Sequence, residues 1–199
     1  MKTALLVIDV QNIYTDEHSE MYCNQADKTL ANINRLIEQF EHAGSPLILV
    51  RHIHKPDGSD LGRMFDYAGP AEDFNFKDGS NEVEYSKALK RPANAIEVTK
   101  NRYSSFVGTG LDQSLKHLGV QRVVICGFMT NFCCESTARD AHDLDYFVDF
   151  IADATGTPGT QHMKQREIRD VVSALLAEGF AEVFLTKNYL KLAPSRINK

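Results

Sequence analysis

The sequence predicts an α/β protein in which a mainly parallel sheet is covered by helices on both faces. Short, wholly apolar runs of strand length alternate with stretches whose apolar residues recur every three or four positions. The apolar runs lack the in–out alternation of a half-exposed strand, as strands buried on both faces do. With 43% hydrophobic residues in 199, the chain can bury a substantial core without disulfide or metal staples. One domain, residues 1–199, is expected.

The elements follow in order. Thr3 to Ile8 is the first strand, and Leu30, Ile33, Leu36, Ile37 and Phe40 mark a helix closed by His42-Ala43-Gly44. Pro46 precedes the second strand, Leu47 to Val50, and the third is Ala95 to Thr99. Gly108-Thr109-Gly110 opens a helix carrying Leu111, Leu115 and Leu118, which stops at Gly119. Arg122 to Cys126 is the fourth strand, Asn131 to His142 a helix, and Tyr146 to Ile151 the fifth strand. Gln161 to Glu178 is helical, with Ile168, Val171, Val172, Leu175 and Leu176 on one side, and Ala181 to Leu185 is the sixth strand. The basic, Pro-containing tail Lys187 to Lys199 is expected to be loose or to fold over a neighbour.

One segment breaks the rhythm. Residues 54–94 far exceed the usual connection of about 4–6 residues and carry Met64, Phe65, Tyr67, Phe74, Phe76 and Tyr85 among charges. They suit either an extra helix or hairpin on the sheet edge, or a lid that sets specificity.

Charge and composition exclude several functions. A net charge of −5 lacks the basic excess of a general nucleic-acid binder. No apolar run approaches the ~20 residues that span a bilayer, and the run Ala4 to Ile8 meets Asp9 too early for a signal peptide. Cys23, Cys126, Cys133 and Cys134 form no C-x-x-C pair, and the adjacent pair is poorly placed for an ordinary disulfide. Buried thiols in a reducing, cytoplasmic compartment are expected.

In open parallel sheets, ligands bind beyond the carboxyl ends of the strands, near the point where strand order reverses. Asp9, Gln11 and Asn12 follow strand one, His52 and His54 strand two, and Lys100, Arg102 and Tyr103 strand three. Gly127-Phe128-Met129-Thr130-Asn131-Phe132-Cys133 follows strand four. Taken singly, an Asp there is a turn residue, a Lys is solvated surface and a Cys is a small core hydrophobe. Taken together, they bring a carboxylate, an ammonium and a thiol to one rim. Cys133 starts a helix, whose dipole lowers a thiol's pKa, and Lys100 acts in the same direction. Asp9 could take the thiol proton and pass it to a leaving group.

Three blocks make the pattern specific. Ile8-Asp9-Val10-Gln11-Asn12, Lys100-Asn101-Arg102-Tyr103-Ser104-Ser105-Phe106 and the stretch from Gly127 to Ala141, GFMTNFCCESTARDA, resemble the three signatures of the isochorismatase-like cysteine hydrolases, in that family's order. The resemblance runs from Thr3 to about Leu185. It implies a three-layer α/β/α sandwich around a six-stranded, mainly parallel sheet. It also implies a catalytic triad of Asp9, Lys100 and Cys133, with Cys133 forming a thioester, Asp9 as general acid and base, and Lys100 as orienting cation. A cis peptide at Phe128–Met129 and an oxyanion hole from the Met129 and Cys133 N–H groups come with it. Cys134 and Cys126 are expected to pack in the interior.

The resemblance points further to a pocket including Gln11, Tyr14, Tyr103, Phe106 and His54, with Arg102 available to an anionic substrate. Nicotinamidases of the family hold a metal through an Asp-x-His pair after strand two and further histidines in the insert. Here His52 takes the Asp position, His54 matches the first His, and no histidine occurs from Lys55 through Lys116. No metal or other cofactor is therefore expected, because tight binding needs about three protein ligands. The expected activity is hydrolysis of a C–N bond (amide, ureide or carbamoyl) in a small molecule. Vinyl-ether hydrolysis, or a non-catalytic binding role on the same fold, are the alternatives. A homo-oligomer, dimer or tetramer, is expected, with no nucleic-acid or membrane partner.

Overall fold

The computed structural model describes residues 1–66 and 74–197; Tyr67 of the insert lies outside them. Each apolar run becomes a strand: β1 (Lys2–Ile8), β2 (Leu47–His52), β3 (Ile96–Lys100), β4 (Val120–Phe128), β5 (Phe147–Gly156) and β6 (Glu182–Phe184). They form one sheet in the order β3-β2-β1-β4-β5-β6, and every pairing is parallel. The helices are α1 (Asn12–Thr15), α2 (Ala26–His42), α3 (Leu111–His117), α4 (Glu135–Asp143), α5 (Gln165–Ala177) and α6 (Thr186–Ile197).

The residues of β1 show why both faces are covered. Leu5 and Val7 face a core built with Ile33, Leu36 and Phe40 of α2 and Tyr189 of α6. Ala4, Leu6 and Ile8 point the other way, against α3, α4 and α5 through Leu115, Ala138 and Leu176. Each large apolar side chain so buried contributes about 1.5–3 kcal/mol relative to exposure. These are the three layers and six strands that the sequence predicts.

The order of strands reverses between β1 and β4: the chain passes from β1 to β2 on one side of the sheet's middle and from β4 to β5 on the other. The two lie close at their carboxyl ends. Gly127 has φ +124°, and a Cβ there would stand 1.9 Å from the Ile8 carbonyl oxygen. Only glycine fits.

Several expectations need correction. The helix expected from Asn131 begins as a π-helical turn, Thr130–Cys134, before α4 takes over. The C-terminal tail is neither loose nor draped on a neighbour as far as Ile197. Tyr189, Ala193 and Ile197, four residues apart, bury one stripe of α6 in the core, while Arg196 bonds Asp149 at 2.7 Å. The described part of the insert contains no α-helix and no hairpin. It has a 3₁₀ turn, Asn81–Val83, meets the body at a single bridge, Gln11 with Tyr85, and is closed on itself by another, His54 with Lys77. Its aromatic residues Phe74 and Phe76 are buried, so apolar anchoring replaces regular structure. Among the described residues, no helix is long and apolar enough to cross a membrane.

Candidate active site

Two strands run further than their apolar residues suggest, and that places the polar groups. β2 ends at His52 and β3 at Lys100, and these two residues are register partners, so their side chains rise from the same face. β1 stops at Ile8, and Asp9 turns off it with φ +51° while its N–H donates to the Val50 carbonyl at 3.0 Å. The left-handed conformation is one that Asp tolerates better than most residues. Cys133 sits in the π-helical turn that leads into α4, an irregularity frequent at functional sites. The Thr137 hydroxyl receives the Ser105 N–H at 3.0 Å, which ties the loop after β3 to α4.

The Lys100 ammonium reaches across β2 and lies 2.7 Å from Asp9 Oδ2 and 3.2 Å from Cys133 Sγ. It also lies 3.1 Å from the Arg102 carbonyl and 3.3 Å from His52 Nδ1. Asp9, Lys100 and Cys133 are all buried, none more than 2% exposed. Oδ2 has this ion pair but no hydrogen bond of good geometry, and Asp9 Oδ1 has no partner among the described residues. A buried carboxylate with spare accepting capacity is costly and stands ready for a proton or a substrate N–H.

Burial raises the Asp9 carboxyl above its ordinary 3.8, with Lys100 and the Cys133 thiol pulling it back. Burial works against the Lys100 charge, but Asp9 and Cys133 outweigh it and hold the ammonium above 10.5. The thiol corrects the expectation of a depressed pKa. Burial pushes Cys133 up to about 12, and the nearby ammonium only partly opposes this. At neutral pH the resting sulfur is therefore a thiol rather than a free thiolate.

The remaining expected site residues divide. Gln11 is buried, and its amide is spent on backbone: Nε2 donates to His52 O and Val83 O, and Oε1 accepts from the His52 N–H. It ties the insert to β2. Tyr14 is core, its ring stacked on Phe128 at 5.5 Å. Phe106 packs on Tyr146 within the cluster that contains Cys133. His54 is buried and bonded at both ring nitrogens, to His52 and to Asp60. Arg102, expected to meet an anion, instead donates to the Asp60 and Asn101 carbonyls. Tyr103 alone of the five stays open, 36% exposed, beside Phe132 at 38%. Their rings are 5.1 Å apart, and Phe132 precedes Cys133 directly. Its exposure was not foreseen, although an aromatic next to the thiol in a strand-to-helix turn is a signal to follow. The Phe128–Met129 peptide is cis. Cys126 and Cys134 are fully buried.

Asp9, His52 and Cys133 bring ligand-type atoms within 4.8 Å of one another, so a metal must be tested for fit. The Lys100 ammonium already contacts all three residues and takes the place a cation would need. His52 and His54, where the metal ligands of nicotinamidases would fall, use their ring nitrogens on Lys100, each other and Asp60. The residues present do not fit a metal.

A parallel sheet with this strand order and a carboxylate, an ammonium and a thiol at its reversal point define the site of a cysteine-hydrolase type of protein. The isochorismatase domain model matches residues 3–186, so the chain belongs to the isochorismatase family of hydrolases. Nicotinamidase 3 of Arabidopsis thaliana is 32% identical over 89% of this chain and 82% of its own length. Ureidoacrylate amidohydrolase RutB of Variovorax paradoxus is 30% identical over 85% of this chain and 74% of its own. Among solved structures, a cysteine hydrolase from Pseudomonas syringae pv. phaseolicola superposes with a TM-score of 0.91 at 28% identity, covering 98% of this chain and 93% of that one.

Proposed function

We propose that the protein hydrolyses a C–N bond of a small amide, ureide or carbamoyl compound through a thioester on Cys133, without a metal. The observation that carries this reading is the buried contact of one ammonium with both a carboxylate, at 2.7 Å, and a thiol, at 3.2 Å. The names of two relatives, a nicotinamidase and a ureidoacrylate amidohydrolase, support the bond type.

The steps use groups already in contact. Asp9 takes the thiol proton as Sγ bonds to the carbonyl carbon, and Lys100 steadies the sulfur's negative charge in a medium where charges interact strongly. The developing oxyanion is met by the Met129 and Cys133 backbone N–H groups, each such donor being worth about 2.7–4 kcal/mol in the transition state. Asp9 returns the proton to the nitrogen as the C–N bond breaks, leaving the thioester. It then takes a proton from water, whose oxygen adds to the carbonyl carbon. The acid departs as the C–S bond breaks, and the proton returns to sulfur. A carboxyl raised by burial suits this alternation, because it holds a proton without being a strong acid. Tyr103 and Phe132, half-exposed beside the thiol, are where a small planar substrate would enter.

A panel of small amides, ureides and carbamoyl compounds tests the reading. Ammonia release with a transient acyl mass on Cys133 is expected for at least one compound. Cys133→Ala should lower turnover by at least about 10⁴-fold. Turnover of a vinyl ether by the Cys133→Ala variant, with no ammonia from any amide, would overturn it.

A further inference from the structure

Four acceptors face the three N–H bonds of the Lys100 ammonium: Asp9 Oδ2, Cys133 Sγ, the Arg102 carbonyl and His52 Nδ1. An ammonium can only donate, so Nδ1 of His52 accepts and that ring carries its proton on Nε2. Nε2 of His52 stands 3.0 Å from Nε2 of His54, which must then accept. His54 keeps its proton on Nδ1, directed at Asp60 Oδ1, 3.3 Å away. Asp60 is fixed in turn by the Lys55 N–H at 3.0 Å and by Asn101 Nδ2 at 3.1 Å. One set of tautomers satisfies every link.

We propose that His52, His54 and Asp60 form a hydrogen-bonded positioning chain for Lys100, joining the ammonium to the insert. In it, His52 holds the third N–H of Lys100 until Cys133 becomes a thiolate and claims it. A protonated sulfur is a weak acceptor, and the three N–H bonds suffice for Asp9, Arg102 O and His52. When the thiol proton leaves, Sγ becomes the stronger acceptor, and of the two uncharged partners His52, at 3.3 Å against 3.1 Å for the Arg102 carbonyl, is held at the longer distance and releases its share. His52 is thus a weak, exchangeable partner at the longest of the four distances.

The surroundings keep the chain neutral. His52 faces Lys100, Asp9, Cys133, Arg102 and His54, and its ring stacks on Phe76 at 4.4 Å. Burial and the cations hold it well below 6.5. His54 faces Asp60, Arg102 and Lys100, with Phe65 and Phe74 edge-on; burial lowers it and Asp60 only partly offsets this. Outside it, Lys55, Asp60 and Asp78 line a hollow of about 240 Å³. Acid is expected to break the chain by protonating His54 at Nε2, which then can no longer accept from His52.

Three measurements on the full chain test the proposal. Long-range proton–nitrogen spectra should show His52 as the Nε2–H tautomer and His54 as the Nδ1–H tautomer at pH 7. The rate of Cys133 alkylation by iodoacetamide, read by peptide mass, should fall about tenfold in His52→Phe, which keeps the stacking ring. It should recover to within about threefold of wild type in His52→Asn, whose amide oxygen can replace Nδ1. The third is turnover: on any amide that is hydrolysed, His52→Phe should lose about tenfold in kcat with KM changed less than twofold. The kcat arm rests on the proposed C–N hydrolysis, whereas tautomers and alkylation do not, so a wild type inactive on every amide but showing both of these leaves the chain standing. The opposite tautomers, unchanged alkylation in a folded His52→Phe, or stoichiometric zinc shifting both rings would overturn it.

Discussion

Two buried carboxylates in the same sheet serve opposite ends. Asp149, on β5, is 1% exposed and has both oxygens met, Oδ1 by Arg196 at 2.7 Å and Oδ2 by Arg122 at 3.5 Å. Asp9, past β1, is fully buried with one lysine, one thiol and an oxygen that nothing meets among the described residues. Burial raises both carboxyls. Their difference lies in saturation. Asp149 spends its capacity fastening α6 and β4 to β5, whereas Asp9 retains capacity and is held in a left-handed backbone conformation. A buried charge with satisfied partners reads as structure, and one with unsatisfied oxygens at a strand-order reversal reads as chemistry.

The comparison can be broken in descending order of effect. Asp9→Asn should reduce turnover by about 10²–10⁴-fold, as measured on whichever amide the wild type accepts. Asp149→Asn should instead cost about 3 kcal/mol of stability by leaving Arg122 without its carboxylate and Arg196 with Glu182 alone, while turnover per folded molecule stays within about twofold. Equal activity losses in the two variants would erase the distinction. Replacing both partners at the site, Asp9→Leu with Lys100→Met, should abolish activity and leave the urea midpoint unchanged or raise stability by about 1–4 kcal/mol.

The smallest effect is in pH. Because Asp9 lies above 3.8 when folded, the native state keeps a proton the unfolded chain has lost. That contribution to stability is complete below 3.8 and disappears as pH rises through the folded value. The stability of Asp9→Asn relative to wild type should therefore increase with pH across that window, by at most about 1.4 kcal/mol per pH unit. Lys100, held above 10.5, gives a second fall in the wild type as pH rises from 10.5 through its raised folded value. A flat difference on the acid side would mean that Asp9 is not raised.

Much of this was legible beforehand. Double-sided apolar runs identify a parallel sheet because alternation is lost only when both faces are covered. The strand ends then assign Asp9, Lys100 and Cys133 to one rim by topology. Gln11, Tyr14 and His54 share that rim, and the sequence could not separate them from substrate contacts. Both N–H bonds of the Gln11 amide go to backbone 41 and 72 residues away, a fact with no local signature. The insert was opaque because its anchors are a single bridge and buried rings rather than a period. α6 was missed although Tyr189, Ala193 and Ile197 repeat every fourth residue, since Pro194 and the basic residues around it pointed to a loose tail.

The sequence by itself determined the layering, the strand ends and which chemical groups stand at them, because burial pattern and turn position are local properties of the chain. The tertiary structure decided which of those groups still have capacity to react. That depends on partners brought from 33 and 48 residues away in Lys100's case, and on how completely water is removed. Hydrogen-bond saturation and desolvation belong to the assembled neighbourhood, not to any residue within it.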